Sequence, residues 1–98
     1  MFSKDEVANA QKPIVCQHPD YVVQVLTDEW GEQPIMTWNN VSVRENGELM
    51  KTTIAFGLNK KTGTWSLVEF IDDDWACFIG NGWGLEIYAD TGEKMFKF

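Results

Sequence analysis

The stretch that decides the fold of this chain is GTWSLVEFIDDDWACFIG, residues 63–80. Alternating apolar and polar residues predict one β-strand over residues 64–71 and a second over residues 75–80. Three consecutive aspartates, residues 72–74, separate the two strands and favour a tight turn. Strands joined by so short a connection pair antiparallel. The stretch therefore predicts an antiparallel sheet.

Segments of period two on both sides of this hairpin extend the predicted sheet. Residues 34–43 and 48–56 indicate two strands around an Asn-Gly turn, and residues 85–88 and 95–98 indicate a last hairpin. The three glycines within residues 80–84 predict a bend in the chain instead of a regular strand.

One helix is expected, from Pro19 to a left-handed glycine at Gly31, with Gln17 or His18 as its N-cap. Apolar residues at three- and four-residue spacing form a single stripe along it: Val22, Val25, Leu26 and Trp30. Because this stripe must be buried, we expect an α+β fold in which an N-terminal helix packs on an antiparallel β-meander of four to six strands. Residues 1–13 are expected to form a flexible lead-in, and residues 14–98 a single domain.

The composition limits the classes of partner. The chain has 98 residues and a net charge of −7, which disfavours binding to a nucleic-acid backbone. No apolar run approaches the roughly 20 residues that a membrane-spanning helix needs. We therefore expect a protein or small-ligand partner, with no cofactor, no nucleic acid and no membrane span. The polar N-terminus has no apolar leader segment, so the expected location is periplasmic or secreted if a leader was removed, and otherwise cytoplasmic.

Two cysteines, Cys16 and Cys77, stand 61 positions apart. Structural zinc sites use four ligands, and His18 would add only one more, so no metal site is predicted. A C-x-x-C redox motif is absent as well. Two interpretations stay open, a disulfide and a pair of buried thiols, and the disulfide requires an oxidising compartment.

Five tryptophans are many for a chain of this length. Trp38 and Trp83 have polar or glycine-rich neighbours and are therefore expected to be exposed. Together with Asn81, they are predicted as binding residues on a platform for a sugar or a protein. The alternative is a small aromatic core with one or two partly exposed rings, because strands favour aromatic residues.

No catalytic residue is predicted, although Glu69 needs separate consideration. If Trp65, Leu67 and Ile71 face the core, Glu69 shares that face, and burial would raise its pKa. The alternation equally allows a core made by the residues on either side of Glu69. The enzymatic alternative is a small hydrolase that pairs Glu69 with a carboxylate of the 72–74 turn. A further alternative is an acidic inhibitor or DNA mimic.

The order of short motifs carries a resemblance to a known group. These motifs are Cys16, Trp30-Gly31-Glu32, Gly63-Thr64-Trp65-Ser66, Ala76-Cys77 and the segment 80–83. The chain resembles a group of small uncharacterised proteins of alphaproteobacteria and related phages with a C…GE…GTWT…C…GxxW pattern. Many members begin with a leader, so the resemblance implies export and pairing of the two cysteines, and it implies no catalytic residue.

We therefore expect a non-enzymatic accessory or binding protein, phage-borne or envelope-associated, that acts through its tryptophan-bearing sheet or the 80–84 loop. An open meander has two edge strands that need protection, so a homodimer through an edge strand is also predicted.

Overall fold

The computed structural model describes residues 14–98, of which about half lie in antiparallel strands and few in helix. The flexible lead-in predicted for residues 1–13 lies outside the described residues. The elements of the described residues follow one another along the chain as β1 (Val15–Gln17), α1 (Pro19–Gln24), a π-helical segment (Val25–Glu29), β2 (Gln33–Val43), β3 (Leu49–Leu58), β4 (Trp65–Phe70), β5 (Ala76–Gly82), β6 (Glu86–Tyr88) and β7 (Lys94–Lys97).

Five strands form one antiparallel sheet in the order β1-β5-β4-β3-β2, and β6 and β7 form a separate hairpin. Consecutive strands from β2 to β5 are neighbours, as expected for strands joined by short connections. The predicted antiparallel, α+β character is confirmed in this coarse sense. One strand, β1, precedes the helix and pairs with β5, whereas the sequence analysis expected the helix to come before every strand.

The helix covers one face of the sheet, which we call the helix face. Val22 is fully buried there against Val68 and Ala76, and Phe70 and Phe78 pack around this cluster. Trp65, Leu67 and Glu69 alternate with these residues along β4 and therefore lie on the opposite face. The alternation along β4 left open which of its two faces packs against the helix. Val68 and Phe70 form the core pair on that face.

The α-helix is shorter than predicted. It ends at Gln24, and the chain continues as a π-helical turn in which the Trp30 N–H donates to the Val25 carbonyl over 3.2 Å. β-branched residues are concentrated here and lose side-chain freedom in an α-helix. The Thr27 hydroxyl also donates to the Val23 carbonyl, a contact that often bends helices. Gly31, two residues beyond the π-helical segment, has the predicted left-handed backbone, with a φ of 62°.

The bend predicted for residues 80–84 comes only at the end of that segment, because β5 continues through Gly82 and the chain then bends at Trp83, before Gly84 with a φ of 73°. The indole of Trp65 lies across Gly80 and Gly82, where a Cβ at Gly82 would come within 3.1 Å of the ring. The same ring stacks on Phe56 at 5.9 Å. These two glycines therefore make room for an aromatic side chain on the strand surface.

A disulfide closes the edge of the sheet. The β1–β5 register places Cys16 directly opposite Cys77, and the two sulfur atoms lie 2.04 Å apart, at disulfide distance. Of the two interpretations left open by the sequence, the structure supports the bridge. Because Pro19 follows three residues after Cys16, the bridge also fixes the chain from which the helix begins.

We expect the Cys16→Ser variant to unfold at a lower urea concentration than the parent. On the chain-entropy model, closing a loop of this length stabilises a protein by about 4 kcal/mol. Urea unfolding followed by circular dichroism measures the difference, and the parent treated with reductant serves as the matched control. Equal unfolding midpoints for the oxidised parent and the variant would contradict the bridge.

Candidate functional site

A groove of about 470 Å³ lies where the end of the helical segment meets the β3–β4 loop and the end of β5. Three separate parts of the chain line it, with indole, amide, hydroxyl and carboxylate groups: Glu29, Trp30, Glu32, Thr62, Thr64, Trp65, Asn81, Gly82 and Trp83. The groove brings together Asn81 and Trp83, two of the three residues predicted for binding.

Two of the groove's indoles differ in how firmly they are held. Trp30 is half-buried, and its ring centroid lies 5.8 Å from that of Phe78 on the helix face. Trp83 has 82% of its surface exposed, the largest exposure among the large apolar residues described. The groove therefore combines two indoles that pack against other aromatic rings, Trp30 and Trp65, with one that is largely exposed, Trp83.

Trp38, the third residue predicted for binding, does not belong to the groove. It lies on β2 opposite Ile54, on the face of the sheet that the helix does not cover. It is exposed, as expected, but Trp75 at the β4–β5 turn is more exposed. The structure thus separates Trp38 from Asn81 and Trp83.

Asn59 links the two sides of the groove by hydrogen bonds, and it was not among the residues predicted for binding. Its side-chain amide donates to the Trp30 carbonyl over 2.9 Å, and its side-chain oxygen accepts from the backbone N–H groups of Lys61 and Thr62. Its backbone N–H also donates to the Thr64 carbonyl. One side chain therefore links the end of the helical segment to the β3–β4 loop. An Asn that opens a loop ending in Gly63 is the signal that could have found it.

Glu32 is an unexpected member of the groove lining. It is only 2% exposed, and its Oε1 atom has no hydrogen-bond partner among the described residues. The carboxylate packs against β3 at Gly57. The hydroxyl of Ser66, on the strand next to Gly57, is also buried and has no partner among the described residues. Buried polar groups without partners cost stability, so an additional hydrogen-bond donor would be accommodated favourably beside Glu32.

The electrostatics of the groove limit what it can hold. Among the described residues, two carboxylates, Glu29 and Glu32, contribute to its lining, and no lysine or arginine does. Asn81, Thr62 and Thr64 add groups that can both donate and accept hydrogen bonds. This lining disfavours anions and suits a neutral ligand with hydroxyl groups.

Glu69 forms the centre of a second polar cluster, on the face opposite the helix. Its Oε2 atom accepts hydrogen bonds from the hydroxyls of Thr52 and Ser42, over 2.7 and 2.8 Å, and from the side-chain amide of Asn40 over 3.0 Å. Neighbouring strands place these donors because Asn40 lies opposite Thr52 and Ile54 opposite Glu69 in the sheet. The cluster therefore stabilises the ionised carboxylate.

Burial raises the pKa of Glu69, but the hydrogen bonds from Thr52, Ser42 and Asn40 outweigh it and bring the pKa below its ordinary value of 4.5. A raised pKa was expected for Glu69 if its face of β4 was buried. A raised pKa requires desolvation of the carboxylate without hydrogen-bond donors, so this expectation is wrong. A carboxylate with a lowered pKa is a poor general acid.

A shallow concavity of about 930 Å³ lies beside this cluster and is lined by both Glu69 and Asp72. The Oδ1 atom of Asp72 accepts from the backbone N–H groups of Asp74 and Trp75, at 2.8 and 3.0 Å, and so stabilises the β4–β5 turn. Within residues 14–98, no group of three His, Cys, Asp or Glu side chains is arranged to hold a metal ion.

Comparisons with protein-family models, with curated proteins and with solved structures find no match for this chain. None of the helices described is long and apolar enough to cross a membrane.

Asn59→Ala should lower the free energy of unfolding by about 1–2 kcal/mol, since it removes hydrogen bonds to three backbone groups. Asn59→Asp is the matched variant, because it keeps an acceptor oxygen for the Lys61 and Thr62 N–H groups but replaces the donor to Trp30 with an oxygen that repels the Trp30 carbonyl. We expect urea unfolding to show that both variants are less stable than the parent. An alanine variant as stable as the parent would show that Asn59 does not hold the groove together.

The lowered pKa of Glu69 predicts a pH dependence of stability with a definite sign. The ionised carboxylate stabilises the fold above the ordinary value of 4.5, and this contribution is lost as the pH falls through the lowered value. In urea unfolding between about pH 6 and about pH 3, Glu69→Gln should therefore lose less stability than the parent does. Glu48→Gln, at the exposed β2–β3 turn, is the control, and equal losses for both variants would contradict the role of the cluster.

Proposed function

We propose that this protein is a non-enzymatic binding protein that holds a neutral, hydroxyl-rich ligand, such as an oligosaccharide, in the groove between Trp30 and Trp83. The observation that carries this proposal is the convergence of these two indoles with Asn81, from parts of the chain that are distant in sequence. Ligand sites are typically concave, with aromatic lining and a few polar groups that orient the ligand.

The chemistry of the lining supports this class of ligand. The apolar faces of sugar rings pack on flat indoles, whose large surface supplies binding energy at a low cost in side-chain entropy. Sugar hydroxyls can donate to the carboxylates of Glu29 and Glu32, and can exchange hydrogen bonds with Asn81 and the neighbouring threonines. Since no basic side chain of residues 14–98 lines the groove, phosphorylated or sulfated ligands should bind more weakly than neutral ones.

An accessory role outside the cytoplasm is consistent with the disulfide. Disulfides form and persist in oxidising compartments such as the periplasm and the extracellular space. The proposed location is therefore periplasmic or secreted, and the proposed role is that of an envelope-associated or phage-borne protein that binds surface glycans.

The hydrolase alternative rests on the concavity lined by both Glu69 and Asp72. Glu69 could act there only as a base or nucleophile, because its hydrogen bonds favour the ionised form. Asp72 would have to supply the proton while one of its oxygens caps the turn. The binding function needs neither condition and is the better supported of the two.

We expect Trp83→Ala to weaken the binding of neutral oligosaccharides about tenfold or more, because the variant removes the exposed wall of the groove. The measurement is isothermal titration with chitotetraose, cellotetraose and maltotetraose, together with glucose 6-phosphate as the anionic probe. Trp75→Ala is the matched control, since it removes another exposed indole at the opposite end of β5.

The proposal predicts binding of at least one neutral oligosaccharide, unchanged affinity in Trp75→Ala and weaker binding of the phosphorylated sugar. Equal affinities for the parent and Trp83→Ala would contradict the site. Stronger binding of glucose 6-phosphate would contradict the ligand class. Cleavage of an oligosaccharide that is lost in Glu69→Gln would replace the proposal with the hydrolase alternative.

A further inference from the structure

The five-stranded sheet ends in two very different edges. At one edge, β1 has three residues and leads directly into the helix, and its disulfide holds it to β5. At the other edge, β2 has eleven residues, and within residues 14–98 it pairs only with β3. Short edges are one means by which proteins prevent unwanted strand pairing, whereas long regular edges invite it.

The long edge also lacks the usual protection by charge. The β2 sequence, QPIMTWNNVSV, contains no Asp, Glu, Lys or Arg. A register shift between Pro34 and Met36 makes the edge irregular, and so less able to pair with another strand, only at the start of β2. From Met36 to Val43 the edge is regular, and it exposes apolar side chains on both faces: Met36, Trp38, Val41 and Val43.

We propose that the β2 edge is the dimer interface of this protein, and that its occupant is β2 of a second copy, paired antiparallel along residues 36–43. A two-fold axis perpendicular to the sheet brings the same segment of each copy together, which is the commonest symmetry of protein dimers. Two five-stranded sheets then join into one continuous sheet of ten strands.

Charge supports a second copy as the occupant. Each copy carries a net charge of −7, so most pairs of surfaces repel each other. An uncharged strand is a place where two such copies can approach without bringing carboxylates together. The backbone N–H and C=O groups of the edge supply the hydrogen bonds, and the apolar side chains of the two copies become cross-strand neighbours.

The length of the edge is sufficient for a specific contact. The eight residues of the segment 36–43, at about 3.3 Å each, extend over about 26 Å. Such an edge offers main-chain pairing together with side-chain contact on both faces, and an interface built on one pair of strands belongs with the smaller ones. We therefore expect a dimer that dissociates on dilution.

The test is sedimentation velocity of the full chain over a concentration series, with Asn39→Lys as the variant. Asn39 is exposed, near the middle of the segment 36–43, and a lysine there places like charges next to each other across the two-fold axis. Thr53→Lys is the control, because Thr53 lies directly opposite Asn39 on β3, is also exposed, and gives the same change in net charge one strand away from the edge.

We expect the parent and Thr53→Lys to sediment as dimers at high concentration, and Asn39→Lys to remain monomeric with an unchanged circular dichroism spectrum. A monomeric parent at every concentration overturns the proposal, including the case in which residues 1–13 of the same chain occupy the edge. A dimer that persists in Asn39→Lys also overturns it, since the copies then meet through another surface.

Discussion

The contact of Val22 with Val68 and Ala76 determines where the helix lies, and the other functional features depend on that position. These three residues form the buried centre of the helix face, and the disulfide between β1 and β5 fixes the chain just before the helix begins. Because these two contacts fix the position of the helix, the π-helical segment that follows it places Trp30 beside the end of β5. If the helix shifted along the sheet, Trp30 and Trp83 would no longer line the same groove.

Glu69 and Glu32 differ in how well their carboxylates are satisfied by hydrogen bonds. Around Glu69, three donors converge on one oxygen, and the carboxylate is stabilised where it lies. Around Glu32, the burial is greater and one oxygen has no partner among the described residues. The first arrangement is what stability alone would produce. The second leaves a hydrogen-bond acceptor at the lining of the groove without a donor among the described residues.

Much of the sheet could be predicted from the sequence, because strand signals are local. The alternation around residues 64–71 and the Asn-Gly turn predicted β2 to β5 to within two residues at each end. The place of Gly80 and Gly82 inside β5 could not be predicted, since their reason is the indole of Trp65, which lies on the neighbouring strand. The early end of the α-helix was harder to predict. The β-branched residues at 22, 23 and 25 disfavour an α-helix, but each has only a small effect, which tertiary contacts override in many other helices.

The groove could be predicted only in part. Trp83 and Asn81 stood out because of their glycine-rich surroundings, but Trp30 was assigned to the buried stripe of the helix. Its approach to Trp83 spans more than fifty residues of sequence, and no periodicity describes such a contact. The role of Asn59 depends on a carbonyl 29 positions away, and the burial of Glu32 depends on its packing against β3 at Gly57, 25 positions away.

The central claim is that Trp30 and Trp83 recognise one ligand together. The indole N–H resonances of the five tryptophans, recorded by ¹H–¹⁵N correlation during titration with a neutral oligosaccharide that binds, test this claim most directly. The account predicts shifts for the three indoles that line the groove, Trp30, Trp65 and Trp83, with little change for Trp38 and Trp75. Shifts confined to Trp38 or Trp75, with Trp30 and Trp83 unaffected, would contradict it.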